Sequence, residues 1–133
     1  MSRDEPAIRR EGPEVRDRSG STYEMAAVAA RAASDMFATD VTIVDLRGAV
    51  SYTDYFVIAS AETERQTRRV AEEVIERMAQ AGHRPRSRRI DQGTVWISLD
   101  FLDVVVHIFT DEARDYYRLE SLWRSAPQER WEG

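Results

Sequence analysis

Two apolar runs meet at a short acidic corner in the sequence "TVWISLDFLDVVVHIF", residues 94–109. Apolar side chains recur at every second position, which predicts two strands, 94–99 and 103–109. The first strand carries apolar residues on one face, and polar residues with a tryptophan on the other: Val95, Ile97 and Leu99 against Trp96, Ser98 and Asp100. The four residues 100–103 between the strands suit a hairpin connection.

Upstream of this hairpin, the pattern predicts a helix, two strands and a second helix. The helices are predicted at 21–38 and 63–82 and the strands at 41–46 and 55–60. Ser21 with Glu24, and Thr63 with Gln66, have the spacing of capping boxes that begin helices. The run 55–60 is apolar throughout, which is typical of a central strand covered on both faces.

The segment "HRPRSRRI", 83–90, admits two interpretations. Its four arginines and Pro85 favour an edge strand, because charge and a missing N–H protect an exposed edge from further pairing. The same arginines also suit a nucleic-acid patch. The closing segment 111–123 predicts a last helix, or a helical turn with an extension, in which Leu122 and Trp123 close the core.

The predicted fold class is therefore α/β, with a small mixed β-sheet flanked by helices. The 133 residues suffice for one domain with one core. We predict a disordered N-terminal tail at 1–20, where mixed charges and prolines replace apolar residues, a folded domain at 21–126 and a C-terminal tail at 127–133.

Composition excludes several classes of site. Cysteine is absent, so the chain has no disulfide, no cysteine nucleophile and no thiolate metal ligand. No apolar run approaches the roughly 20 residues that span a membrane, and no secretory signal is predicted, so we expect a cytoplasmic protein. Residues 91–133 carry a net charge of −5, while residues 1–90 sum to zero. Such an acidic surface serves solvation or attracts basic proteins.

The residues give little support to an enzyme. Asp100 and Asp103 form a carboxylate pair that could hold a metal or share acid–base work, but a turn separates them and their side chains need not converge. No glycine-rich phosphate loop is present, since the turn after the strand at 55–60 reads "ASAETER". His107 lies inside an apolar strand, where a histidine is usually a core or interface residue. We therefore predict no catalytic residue, metal site or cofactor.

Three segments in this order resemble the Iojap-like ribosomal silencing factor family: "DLRGAVSYTDYFVIAS", "WISLDFLDVVVHIF" and "YYRLESLW". The resemblance covers about residues 22–126. It implies an α/β domain similar to a degenerate nucleotidyltransferase fold. Active members of that superfamily carry a Gly-Ser turn and paired aspartates, whereas this chain has "ASAE" and "DVVV". A nucleotidyltransferase-like enzyme with metal-dependent nucleotide chemistry remains the alternative function.

The resemblance also implies a function. Family members bind large-subunit ribosomal protein fourteen, block joining of the small subunit and lower translation when nutrients are scarce, as in stationary phase. Free members often form homodimers. Neither a membrane nor a sequence-specific nucleic-acid partner is implied.

Carried over residue by residue, the resemblance gives a set of expected partner-binding positions: Trp96, Leu99, Asp100, Asp103, Tyr117 and Leu119. Tryptophan suits the centre of such a surface because it buries a large apolar area at low entropic cost. Turn formation is the competing role for both aspartates, and core packing is the competing role for Trp96. The family commonly has an aromatic-glycine pair where this chain has Phe101-Leu102, and leucine disfavours the positive φ that glycine permits.

Overall fold

The computed structural model of the protein describes residues 20–91 and 94–132. The elements, in chain order, are α1 (Ser21–Asp35), β1 (Thr39–Asp45), β2 (Tyr55–Ala61), α2 (Glu64–Gln80), β3 (Ser87–Asp91), β4 (Trp96–Asp100), β5 (Val104–Thr110), α3 (Asp111–Tyr117), a 3₁₀ helix (Leu119–Trp123) and β6 (Gln128–Arg130). No helix in the described ranges is long and apolar enough to cross a membrane.

The six strands form one mixed sheet in the order β3-β4-β5-β2-β1-β6. β2 and β5 pair in parallel, and every other neighbouring pair is antiparallel. The predicted small mixed sheet flanked by helices is therefore confirmed. β2 lies inside the sheet with all seven residues buried, as its continuous apolar run predicts.

Helices α1 and α2 cover one face of the sheet, and alanines let α1 approach closely. Ala26, Ala29, Ala30 and Ala33 are fully buried against a core that includes Ile43, Val57, Val106 and Ile108. Because alanine loses no rotamer entropy, this contact is formed at little cost in side-chain freedom.

The two predicted capping boxes have different outcomes. At α2, Thr63 Oγ1 accepts a hydrogen bond from the Gln66 N–H at 3.1 Å, and Gln66 Oε1 accepts one from the Glu62 N–H at 2.8 Å. The box at Ser21 is wrong, because Ser21 is already helical and Gly20 occupies the cap position without a side-chain hydrogen bond.

The arginine-rich segment is an edge strand, as one of its two interpretations predicts. β3 pairs only with β4 and begins at Ser87, just after Pro85. The boundary predicted at residue 127 does not match the end of the sheet. Gln128–Arg130 form β6, which pairs antiparallel with β1, because that strand would otherwise expose its outer edge. The N-terminal tail predicted at 1–20 lies, except for Gly20, outside the described residues.

Candidate partner-binding surface

The sheet face opposite α1 and α2 is only partly covered. Over β1 and β2, side chains of α3, the 3₁₀ helix and Ala126 pack on Val44, Phe56 and Ile58. Over β4 and β5 the face stays open, and we call this region the open face: Trp96, Ser98 and Asp100 of β4 with Val105 and His107 of β5. All but His107 are half-buried, so their outer surfaces remain accessible.

Trp96 is fixed on this face by aromatic neighbours. Its ring centroid lies 4.9 Å from those of both Phe109 and Tyr117, with tilted planes. The side chain is half-buried, so it is neither a core residue nor a mobile surface residue. A tryptophan held in place but still accessible loses little conformational freedom when it binds a partner.

His107 orients the Trp96 indole from below. The indole Nε1–H donates to His107 Nδ1 at 3.1 Å, so the neutral imidazole carries its proton on Nε2. The ring packs edge-on against Phe56 at 4.6 Å between centroids. Burial lowers the pKa of His107 from 6.5 to about 4, because low-dielectric surroundings disfavour the charged ring. His107 is therefore a neutral supporting residue at pH 7.

The acidic corner between β4 and β5 is built by Asp100. Its Oδ1 accepts a hydrogen bond from the Leu102 N–H at 2.8 Å, and its Oδ2 pairs with Arg86 at 3.1 Å. Leu102 adopts φ +79°, the left-handed conformation that leucine disfavours. The corner thus keeps a glycine-like turn despite the leucine, and the side chain of Leu102 is 48% exposed.

Asp103 lies at the other end of the corner and is half-buried. Its main-chain carbonyl accepts hydrogen bonds from the Asp54 and Tyr55 N–H groups at 2.9 and 3.1 Å. The backbone of Asp103 therefore ties the corner to the start of β2.

Tyr117 extends the aromatic surface beyond the sheet. It ends α3, because Arg118 turns left-handed with φ 49° and ψ 49°. Its ring is 38% exposed and lies 5.0 Å from the ring of Tyr116, which is 81% exposed. Trp96, Tyr117 and Tyr116 therefore form one continuous patch, which we call the aromatic patch. Tyr116 is not among the partner-binding positions that the resemblance implies, and its spacing within 111–123 is typical of a core-facing helical residue.

The remaining positions of the closing segment have mixed outcomes. Leu119, the first residue of the 3₁₀ helix, is half-buried and packs on the same core cluster as Trp123. Core closure is confirmed for Trp123, whose ring lies 6.3 Å from that of Phe56. It is wrong for Leu122, which is 72% exposed, because the 3₁₀ helix turns that position outward.

The prediction of a direct partner contact is wrong for Leu99. Its side chain is fully buried on the opposite side of β4, in the core beneath α1 and α2. Side chains alternate across a strand, so Leu99 cannot share a surface with Trp96 and Asp100.

Arg114 is a buried arginine that sequence reasoning did not single out. Its guanidinium pairs with Glu120 at 3.0 Å and donates to Ser60 Oγ at 2.9 Å and to Thr42 Oγ1 at 3.3 Å. These bonds tie α3 and the 3₁₀ helix to β1 and β2, which fixes Tyr117 in place. In sequence, this residue is one of 19 arginines, so no signal marks it.

The carboxylates do not converge on one point. Asp45 is held by Arg47 at 2.6 Å, and Asp100 is engaged in its turn. Within residues 20–91 and 94–132, no three His, Asp or Glu side chains are grouped so as to hold a metal ion. A polar cavity of about 680 Å³ lies beside Arg114, but two of its acids, Asp40 and Glu120, already pair with arginines.

Comparison with known proteins places the chain among silencing factors. Residues 19–133 match the family model described as "Ribosomal silencing factor during starvation". The chain is 33% identical over 100 residues to Ribosomal silencing factor RsfS of Bacillus subtilis, covering 75% of this chain and 85% of that protein. It is 34% identical over 104 residues to the chloroplastic protein Iojap of Zea mays, covering 73% of this chain and 42% of that protein.

Two solved structures share the fold of this chain. A protein of Chromobacterium violaceum superposes with a TM-score of 0.76 at 25% identity, covering 86% of this chain and 95% of that one. A protein from Bacillus halodurans superposes with a TM-score of 0.70 at 29% identity, covering 81% of this chain and 98% of that one. With a family match over nearly its whole length, relatives of that name and the same fold, the chain belongs to the ribosomal silencing factor family.

Proposed function

We propose that this chain represses translation by binding large-subunit ribosomal protein fourteen through the open face and the aromatic patch, so that the small subunit cannot join. The observation that supports this most is Trp96, a tryptophan held by Phe109, Tyr117 and His107 yet half-exposed on an uncovered part of a sheet. Such anchored aromatic side chains are enriched among residues that dominate binding energy.

The charge around the patch suits a basic partner. Asp100 and Asp103 lie at the corner beside the open face, and the last third of the chain carries a net charge of −5. Acidic groups at the rim of an interface mainly raise the association rate and the specificity for a basic protein. They thus complement the apolar contribution of Trp96.

In this proposal the chain is not an enzyme and acts in the cytoplasm by steric exclusion. It lowers translation when nutrients are scarce, and the free chain forms a homodimer. It needs no cofactor, because its effect comes from occupying a surface and not from turnover.

Two measurements test the proposal. The first is binding of the purified chain to isolated ribosomal protein fourteen and to purified large subunits. The second is the fraction of subunits that associate when both subunits are mixed with the chain, followed by sedimentation. We expect the wild type to bind both probes and to reduce subunit association. Trp96→Ala should lose these effects. Phe37→Ala removes an aromatic residue that is 82% exposed and lies outside the open face, and it should retain them.

The alternative, a nucleotidyltransferase-like enzyme, makes an opposite prediction. Incubation of the pure chain with labelled nucleotides and Mg²⁺ or Mn²⁺ would give turnover that Asp100→Asn abolishes. We expect no turnover with wild type or variant. Nucleotide chemistry that depends on Asp100, together with unimpaired subunit association, would contradict the proposed function.

A further inference from the structure

The polar cavity beside Arg114 lies at the carboxyl ends of the parallel strands β2 and β5. Its inner part is formed by Ser60 near the end of β2, by Thr42 of β1 and by Arg114, and its walls come from α3, the 3₁₀ helix and β6. Open α/β sheets bind small ligands at the carboxyl ends of their strands, and a volume of about 680 Å³ can hold one. The cavity shares no residue with the open face or the aromatic patch.

The inner part of the cavity is held by a network around Arg114. Ser60 and Arg114 are 2% and 9% exposed. The guanidinium donates to Ser60 Oγ, to Thr42 Oγ1 and to the main-chain carbonyl of Asp40, and it pairs with Glu120 at 3.0 Å. Because its N–H groups are engaged in this way, Arg114 shapes the cavity, and the side chains nearer the mouth are left to bind a ligand.

Three charged side chains near the mouth of the cavity have no ionic partner. Asp111, Asp115 and Arg118 lie at positions i, i+4 and i+7 of α3 and its C-cap, so they share one face, and all three line the cavity. Within the described part of the chain none of them forms an ion pair, whereas Asp40 in the same wall pairs with Arg130. Arg118 Nε donates to the main-chain carbonyl of Asp115 at 3.2 Å, which leaves the two Nη groups available.

These unpaired charges restrict the chemistry of a ligand. Two carboxylates one helical turn apart repel a phosphate and attract an ammonium group. A metal ion is not favoured, because no three His, Asp or Glu side chains in residues 20–91 and 94–132 are grouped to hold one. A lysine side chain of another protein would leave the Arg118 guanidinium unused, and a guanidinium is well suited to bind a carboxylate through two parallel hydrogen bonds. The charges therefore fit a small zwitterion.

We propose that the polar cavity binds a free α-amino acid. The carboxylates of Asp111 and Asp115 accept hydrogen bonds from the ammonium group of the amino acid, and the guanidinium of Arg118 pairs with its carboxylate. The hydroxyls of Thr39 and Ser121 also line the cavity, so an amino acid with a polar side chain is preferred to an aliphatic one. This site is additional to the proposed partner-binding surface and does not depend on it.

Calorimetric titration of the full chain with the proteinogenic amino acids, one by one, tests the binding. The amino acid that binds most tightly is then compared with its N-acetyl derivative, which lacks the ammonium group, and with its amide, which lacks the carboxylate. We expect saturable binding, tightest for a polar amino acid, and affinities at least roughly tenfold lower for both derivatives, because each loses one charge-assisted contact.

Variants assign the two contacts to their residues. Asp115→Asn removes a partner of the ammonium group, and Arg118→Gln removes the partner of the carboxylate. Glu112→Gln and Arg124→Gln are the matched controls, because they neutralise exposed side chains of the same segment that do not line the cavity. The two cavity variants should bind the amino acid at least roughly tenfold more weakly, and the controls should match the wild type. Arg118→Gln should also bind the amide as well as it binds the free amino acid.

Thermal melts verify that each variant is folded, so that a loss of affinity reflects the cavity. A folded wild type that binds no amino acid at millimolar concentration would overturn the proposal. Equal losses in the cavity variants and their controls would do the same. An amide that binds the wild type as tightly as the free amino acid would also overturn it, because the cavity would then recognise only an amine, such as a lysine side chain.

Discussion

Truncation of Trp96 should separate binding from folding. Trp96→Ala removes an indole that is half-buried against Phe109 and Tyr117, and it removes the hydrogen bond to His107. Truncation of a fully buried tryptophan to alanine lowers the unfolding free energy by about 3–5 kcal/mol. Truncation of the half-buried Trp96 should therefore lower it by about 2 kcal/mol. Small domains have about 5–15 kcal/mol of stability, so the variant should remain folded. Its affinity for large subunits should nevertheless fall at least thirtyfold, or about 2 kcal/mol of binding free energy.

Leu99→Ala is the matched control, because it lies on the same strand but faces the core under α1 and α2. It should cost about 2–5 kcal/mol of unfolding free energy while the folded fraction binds subunits with wild-type affinity. Chemical denaturation gives the stability of each variant, and titration against large subunits gives its affinity. Unchanged affinity of Trp96→Ala for large subunits would refute the role assigned to the tryptophan. So would an equal loss of affinity in the folded fractions of Trp96→Ala and Leu99→Ala.

Three further changes probe the surroundings of Trp96. Asp100→Asn retains an acceptor for the Leu102 N–H but loses the charge. Association with the partner should therefore slow at low salt, while the unfolding free energy changes by less than about 1 kcal/mol. An unchanged association rate at low salt would mean that Asp100 serves only the turn. Leu102→Gly relieves a φ of +79° at an exposed position, and thermal melts should show up to about 1 kcal/mol of stabilisation; a lower melting temperature would mean that the leucine side chain makes compensating contacts. The pKa of His107 is about 4 in the folded chain and 6.5 in the unfolded chain, so as the pH falls the unfolded chain takes up a proton first. Neutral His107 therefore contributes its full stabilisation above pH 6.5. That contribution falls by up to about 3 kcal/mol as the pH drops towards 4. The unfolding free energy, measured by chemical denaturation at several pH values, should depend less on pH in His107→Phe than in the wild type. The same pH dependence in both would contradict the lowered pKa of His107.

Most of the helices and strands could be predicted from the sequence, because they depend on local periodicity. The alternation in 94–109 predicted two strands joined at 100–103, and the structure has β4 and β5 in that register. The alternation also placed Trp96 and Leu99 on opposite faces, so it contained the reason why the two cannot share a surface. The resemblance implies an interface role for both, whereas burial leaves only Trp96 accessible to a partner.

Features that depend on contacts between distant segments could not be predicted in this way, because they arise only when the chain packs. Gln128–Arg130 are too few and too polar to predict a strand, and they form one because β1 offers an unpaired edge. Arg114 acquires its role from Thr42 and Ser60, which lie more than fifty residues away. The accessibility of Trp96 follows from the short α3, which ends at Tyr117 and places that one ring against Trp96 and Phe109, so that the rest of the indole stays uncovered. Periodicity states which face a side chain takes, whereas the packing of other elements decides whether that face is buried.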